Sequence, residues 1–241
     1  MNRFCKLTAA AFMAVFFANN SIADNQGISI GIWGSQLDLD TYGTETQPAK
    51  TPGGGTSDDD VTSNSQSKSV DVGSVFVEYT AEQGSSIGIE YYPGSATLGN
   101  VSRTDTCVCQ AEAAANGGAT SATYTAKADV TDIWSVYMEP TVMFNDTFGV
   151  YGKVGVTTMY LKSLESLANG DDSSTYPNKD IWGAFYGLGL KARHSSGLFL
   201  KLETSVTEFQ HIKLQSASGN KGRIDADLDV QSTRLALGYT F

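Results

Sequence analysis

Eight charged residues carry most of the chemistry this sequence offers. Glu78, Glu90, Glu139 and Glu203 are acids; Lys153, Lys191, Lys201 and Arg234 are bases. Each lies in a stretch where apolar and polar residues alternate, and each falls on the side opposite the apolar stripe. The set balances in charge, which nothing in the composition requires. Alternation places such residues on one face of a sheet. The chemistry they imply is therefore mutual ion pairing in a confined, water-poor space. A Lys or Arg facing lipid near the bilayer midplane costs about 2–4 kcal/mol, whereas one facing a lumen can find a partner.

The groups that do covalent or metal chemistry are sparse. The chain has 2 histidines, His194 and His211. Nucleophilic catalysis needs a His beside a Ser or a similar nucleophile. His194 is followed by Ser195 but sits beside a turn, and His211 reaches Ser216 or Ser218 only if a loop folds back. We assign no catalytic residue and expect no enzyme. No His, Cys and carboxylate cluster has zinc spacing. Asp58-Asp59-Asp60 lacks the alternating ligands and glycine of a calcium loop, so neither metal nor cofactor is expected. Cys107-Val-Cys109 remains. In an oxidising compartment this pair can close a strained clasp, link to another molecule, or stay as thiols. The clasp is our expectation, and alkylation of the unreduced protein followed by mass spectrometry separates the three.

The elements that position the charges read as eight strands with two faces each. In the first, Ile28, Ile30 and Ile32 oppose Ser29, Gly31 and Trp33. In the second, Val75, Val77 and Tyr79 oppose Phe76 and Glu78. Ile87, Ile89 and Tyr91 oppose Glu90 and Tyr92 in the third, and Trp134, Val136 and Met138 oppose Tyr137 and Glu139 in the fourth. The fifth sets Val150, Val154 and Val156 against Tyr151 and Lys153, and the sixth Tyr186, Leu188 and Leu190 against Gly187, Gly189 and Lys191. The seventh sets Leu198, Leu200 and Leu202 against Lys201 and Glu203. In the eighth, Leu235, Leu237, Tyr239 and Phe241 oppose Arg234, Ala236, Gly238 and Thr240. Connections after strands two, four and six are short: Gln83–Ser86, Asn145–Thr147 and Ser195–Gly197. The others are long and polar, running about 43–69, 95–127, 163–179 and 213–225. Only helices and closed barrels satisfy their own backbone in hydrocarbon, and short turns at one end with long loops at the other are the asymmetry of membrane barrels. We therefore expect an all-β fold, an eight-stranded antiparallel up-and-down transmembrane β-barrel. Eight strands leave an interior that side chains just fill, so the lumen should be polar and plugged. Trp134, Tyr160, Trp182, Tyr239 and Phe241 suit interfacial girdles.

The N-terminus carries Arg3 and Lys6 ahead of an apolar run, Leu7 to Ala18, that is too short to span a bilayer. Ser21 and Ala23 fit a signal-peptidase cut. Residues 1–23 are thus expected to be a signal peptide and 24–241 the barrel domain. Without Arg3 and Lys6, 14 basic residues face 26 acidic ones, a net charge of −12. This excludes a nucleic-acid partner, which requires basic patches.

The signal, Phe148-Gly-Val-Tyr-Gly-Lys-Val-Gly155, Tyr186-Gly-Leu-Gly-Leu190 and the C-terminal strand together resemble the small bacterial outer-membrane barrels of the opacity-protein and outer-membrane protein X or W group. The resemblance rests on architecture more than on motif. It implies location in the bacterial outer membrane, contact with its lipid, and recognition of Tyr239 and Phe241 by the barrel-assembly machinery. It also implies a structural or surface-interaction role, adhesin-like, with an extracellular protein or cell-surface ligand held by the loops. A narrow conduit for ions or small apolar solutes is the alternative, and a lipid-modifying enzyme the third possibility.

Overall fold

A computed structural model describes residues 26–47, 60–105, 122–167, 176–217 and 222–241. The expected signal peptide, Asp58, Asp59, Cys107 and Cys109 lie outside the described residues.

The strands run β1 (Gly27–Gln47), β2 (Asp60–Thr80), β3 (Ser86–Asp105), β4 (Ala122–Glu139), β5 (Thr141–Met143), β6 (Phe148–Leu167), β7 (Lys179–Arg193), β8 (Leu198–Phe209), β9 (Ile212–Gln215) and β10 (Arg223–Thr240). Eight of them form a ring in the order β1-β2-β3-β4-β6-β7-β8-β10, and β10 returns to pair with β1 from Ser29↔Thr240 to Thr46↔Arg223. Every pairing is antiparallel. The two short strands are continuations. Pro140, which has no N–H to give a ladder, separates β4 from β5, and β5 stays on β6. Gln210 and His211 separate β8 from β9, and β9 stays on β10. Three tight turns close one end of the ring. Gly197, at φ 94°, makes one of them possible, and Asn145 Oδ1 caps another by accepting from the Thr147 and Phe148 amides at 2.9 and 2.8 Å.

At the turn end, the outer wall is apolar. Ile28, Ile32, Leu188, Leu190 and Leu235 are each 57–58% exposed, and Val75, Val136, Leu202 and Leu237 are exposed beside them. At the other end the strands run far into segments read above as loops: β2 begins at Asp60, β3 reaches Asp105 and β6 reaches Leu167. The apolar-outward pattern had hidden this extension because it reverses there. On β1, outward Ile28, Ile30 and Ile32 give way to Gln36, Asp38 and Asp40, while inward Trp33 and Ser35 give way to Leu37 and Leu39. On β10, Leu235 and Leu237 face out beside inward Arg234 and Ala236. Farther along, Asp229 and Gln231 face out beside inward Leu228 and Val230. The strand period continues unbroken while the polarity of its two faces exchanges.

Candidate functional site: a charged layer beneath an apolar chamber

Within the apolar girth, the inward face brings the eight charges together. Glu78, Glu90, Glu139, Glu203, Lys153, Lys191, Lys201 and Arg234 are all at most 4% exposed. Lys201 Nζ donates to both carboxylate oxygens of Glu78, at 2.8 and 2.7 Å, and also bonds Glu139. Arg234 uses Nη2 on Glu90 and Nη1 on Glu203, the latter at 3.4 Å. Lys153 lies centrally, 3.4 Å from Glu139, 3.5 Å from Glu203 and 3.7 Å from Glu90. Its ammonium sits 3.9 Å from the Tyr137 ring centroid, which adds a cation–π contact where water is scarce. Lys191 is the most loosely held, 3.9 Å from Glu78. Neutral donors complete the network: the Tyr137 hydroxyl gives to Glu78 at 2.9 Å, the Tyr151 hydroxyl to Glu203 at 3.0 Å, and Ser74 to Glu90. Trp33, Phe76 and Phe199 pack along one side, and the Arg234 guanidinium lies 4.3 Å over the Trp33 ring.

Buried charges lie inside a closed ring whose outer wall is apolar, and only a hydrocarbon surround makes that wall favourable. The chain is a transmembrane β-barrel. Trp134, Trp182, Tyr239 and Phe241 all face outward from this barrel, and Trp134 stacks with Tyr91 at 4.4 Å. Tyr160 is half-buried.

Above the charged layer, the barrel's interior departs from the polar plug expected along its whole length. A cavity of about 120 Å³ opens there, bounded by Leu37, Leu39, Val70, Leu98, Val130 and Met159 among others, with Arg234 and the Ser205, Ser232, Ser135 and Thr157 hydroxyls below. A second cavity of about 280 Å³ continues toward the loop end, and the two share Leu98 and Leu228. Sequence reasoning passed over these side chains because it ended each apolar-outward stripe before them and, for Leu98, read a loop. Their signal is the parity of the strand: Leu37 and Leu39 keep step with Trp33, and Leu228 and Val230 keep step with Arg234.

The chamber also reaches the side of the barrel. β2 and β3 pair only from Val75↔Tyr91 to Thr80↔Ser86, although both strands run much farther. The cause is local. Pro93 cannot donate to a ladder, Gly94 takes φ 102°, and the register of β3 against β4 jumps between Tyr92 and Ser95. Asp132, at φ 53°, marks the matching bulge in β4, between Thr131 and Trp134. This kink draws β3 away from β2 and leaves a slot beginning just above outward Val75 and Tyr91. Val70 and Val72 on one bank, and Tyr92, Pro93 and Ala96 on the other, line the same cavity. Farther out, Lys68 Nζ bridges the slot to the Thr97 carbonyl at 2.9 Å.

The two histidines lie apart from this chamber. His194 Nδ1 lies 2.9 Å from Ser196 Oγ in a turn. His211 stands exposed at the loop end, with Nδ1 2.7 Å from Asp227 and Nε2 3.1 Å from Asp225. These hydrogen bonds, Asp227 first, raise its pKa above the usual histidine value. Both ring nitrogens are thereby committed to carboxylates.

No family model matches the chain, and no curated protein matches it. It is similar in structure to solved barrels. The outer membrane protein OprG from Pseudomonas aeruginosa matches at 14% identity and TM-score 0.46, over 90% of this chain and 97% of that one. A major outer membrane protein from Thermus thermophilus matches at 12% identity and TM-score 0.38, over 86% and 99%. The attachment invasion locus protein Ail of Yersinia pestis matches at 11% identity and TM-score 0.34, over 87% and 99%. Single-chain barrels with short turns at one end, long loops at the other and an outward apolar band belong to bacterial outer membranes, and the described barrel has that form.

Proposed function

We propose that this protein is an outer-membrane conduit for small apolar molecules, which enter the wide cavity at the loop end, pass to the inner chamber and leave sideways between β2 and β3. The observation that carries this reading is a chamber lined by Leu, Val and Met that borders an unpaired stretch of barrel wall at the edge of the apolar girth. Below that chamber the charged layer fills the lumen, so a solute arriving from outside has a lateral route and no axial one. Apolar pockets with few convergent polar groups are characteristic of small-molecule sites. The exporting signal, lipid contact and recognition of Phe241 during assembly are parts of the same reading.

The test is to tie the slot shut. Val70→Cys and Ala96→Cys, in a chain with Cys107 and Cys109 replaced by serine, would be joined by a reducible bifunctional thiol reagent. Uptake of radiolabelled toluene by expressing cells should fall to the level of non-expressing cells and return on reduction. Uptake unaffected by the link would overturn the reading.

The outward acids above the girth, Asp38, Asp40, Asp71 and Asp229, favour a second reading in which this face meets a cationic surface partner. Salt-sensitive binding of cells to a basic surface, lost when Asp38 and Asp40 become asparagine, would support it.

A further inference from the structure

We infer that the inner chamber selects molecules of about one six-membered ring carrying a single uncharged hydrogen-bond acceptor, held acceptor-down on the Ser205–Ser232 hydroxyl pair. This inference rests on the apolar-conduit reading and specifies its ligand.

Size comes first. A dry cavity of about 150 Å³ lined by Leu, Ile and Phe holds benzene, and the chamber here is about 120 Å³. Polarity comes second. The chamber's walls are hydrocarbon, but its floor is Arg234 with Ser205 and Ser232. Nη1 and Nη2 of Arg234 are committed to Glu203 and Glu90 and its Nε is buried out of reach of the chamber, so the guanidinium is a charged base beneath the floor with no donor to spare. Ser205 Oγ and Ser232 Oγ bond each other at 2.7 Å. One hydroxyl donates to the other, so the acceptor's own proton stays free. The floor therefore presents one spare hydroxyl donor, and a donor without a partner favours any ligand that supplies an oxygen. Charge comes third. The four acids and four bases beneath already balance, so an arriving carboxylate would be an uncompensated anion in a poorly hydrated site.

The experiment uses the full barrel in lipid nanodiscs, carrying ¹³C-methyl methionine. Met159 lines the chamber, while Met138 faces outward and Met143 lies next to a turn, so these two serve as internal controls. Ethylbenzene, acetophenone and benzoate are titrated at pH 7, with affinities referred to the concentration in the lipid phase so that hydrophobicity cancels. Acetophenone should shift the Met159 methyl with an affinity roughly tenfold above that of ethylbenzene, and benzoate should leave it unmoved. The joint change Ser205→Ala and Ser232→Ala should narrow the gap between acetophenone and ethylbenzene. Equal affinity for ethylbenzene and acetophenone, or binding of benzoate, would overturn the inference and leave the conduit reading intact. If none of the three moves Met159 more than Met138, the conduit reading fails with it.

Discussion

Replacing Lys201 by methionine keeps most of the side-chain volume and removes one cation from the lumen. Lys201 Nζ lies 2.7 Å from Glu78 and also bonds Glu139. At an effective dielectric of about 20, one pair at 2.7 Å carries roughly 6 kcal/mol of Coulomb energy. The two carboxylates are not stranded by the change. Glu78 retains Lys191 at 3.9 Å and the Tyr137 hydroxyl at 2.9 Å, and Glu139 retains Lys153 at 3.4 Å. On the same scale these remaining pairs carry about 4 and about 5 kcal/mol. The loss therefore falls well short of the gross Coulomb sum, and the removed ammonium also takes its desolvation cost with it. Breaking one partner of a buried pair typically costs about 3–5 kcal/mol, and Lys201→Met belongs in that range. This corresponds to about two to three and a half orders of magnitude in the unfolding equilibrium. Urea unfolding in lipid vesicles, followed by tryptophan fluorescence, measures it. Adding Glu78→Gln restores charge balance and should recover about 2 kcal/mol or more, a coupling that a double-mutant cycle isolates. A single-mutant loss below about 1 kcal/mol, or a double mutant as weak as the two losses summed, would refute the claim that these charges act as one balanced unit.

Two further outcomes follow from separate features. The pKa of His211 is raised by Asp227 and Asp225. Its contribution to holding β9 on β10 is thus complete below the ordinary histidine value, near 6.5, and is lost as pH rises through the raised one. Amide exchange at Ile212 and Leu214 should quicken across that interval, and Asp227→Asn should move the transition to lower pH; exchange indifferent to pH after correction for intrinsic rates would count against the contact. At Gly189, an added Cβ would lie 2.5 Å from the Tyr151 hydroxyl, which is itself tied to Glu203. Gly189→Ala should cost about 1–3 kcal/mol of stability by overpacking, measured in the same urea assay, and a neutral effect would show that Tyr151 moves freely.

The membrane-embedded half of this barrel was legible because lipid imposes one rule on it. The alternation of Leu235, Leu237 and Tyr239 against Arg234 and Ala236 fixes both the strand and the direction of each face, and the same logic reaches Glu139, Lys153 and Lys191 on strands far away in sequence. The outer half was not legible for the same reason. Beyond Ser35 and before Ser232 the wall stands in water, so Asp38 and Asp229 turn outward and Leu39 and Val230 turn inward, and a rule that seeks greasy outer faces ends its strands short of these stretches. The slot was harder still. Pro93-Gly94 marks a break in β3, but whether a break opens the wall depends on where β2 stops pairing, and nothing local to Val70 or Val72 announces it. The chamber therefore emerges only when strand length, parity and the missing ladder are seen together.

The ring is closed by β1 on β10, and a hydroxyl pair there, Ser29 and Thr240, joins positions 211 residues apart. Contacts of such long range are slow to form, since the loop must be closed before the contact can reward it. A hydrocarbon surround makes the interval costly as well, because two whole strand edges stay open until the last one docks. Completion of this fold is consequently a single late event. Once it has happened, loss of either closing strand exposes the entire circumference to reopening, and resistance to unfolding becomes a property of the latch more than of any one layer.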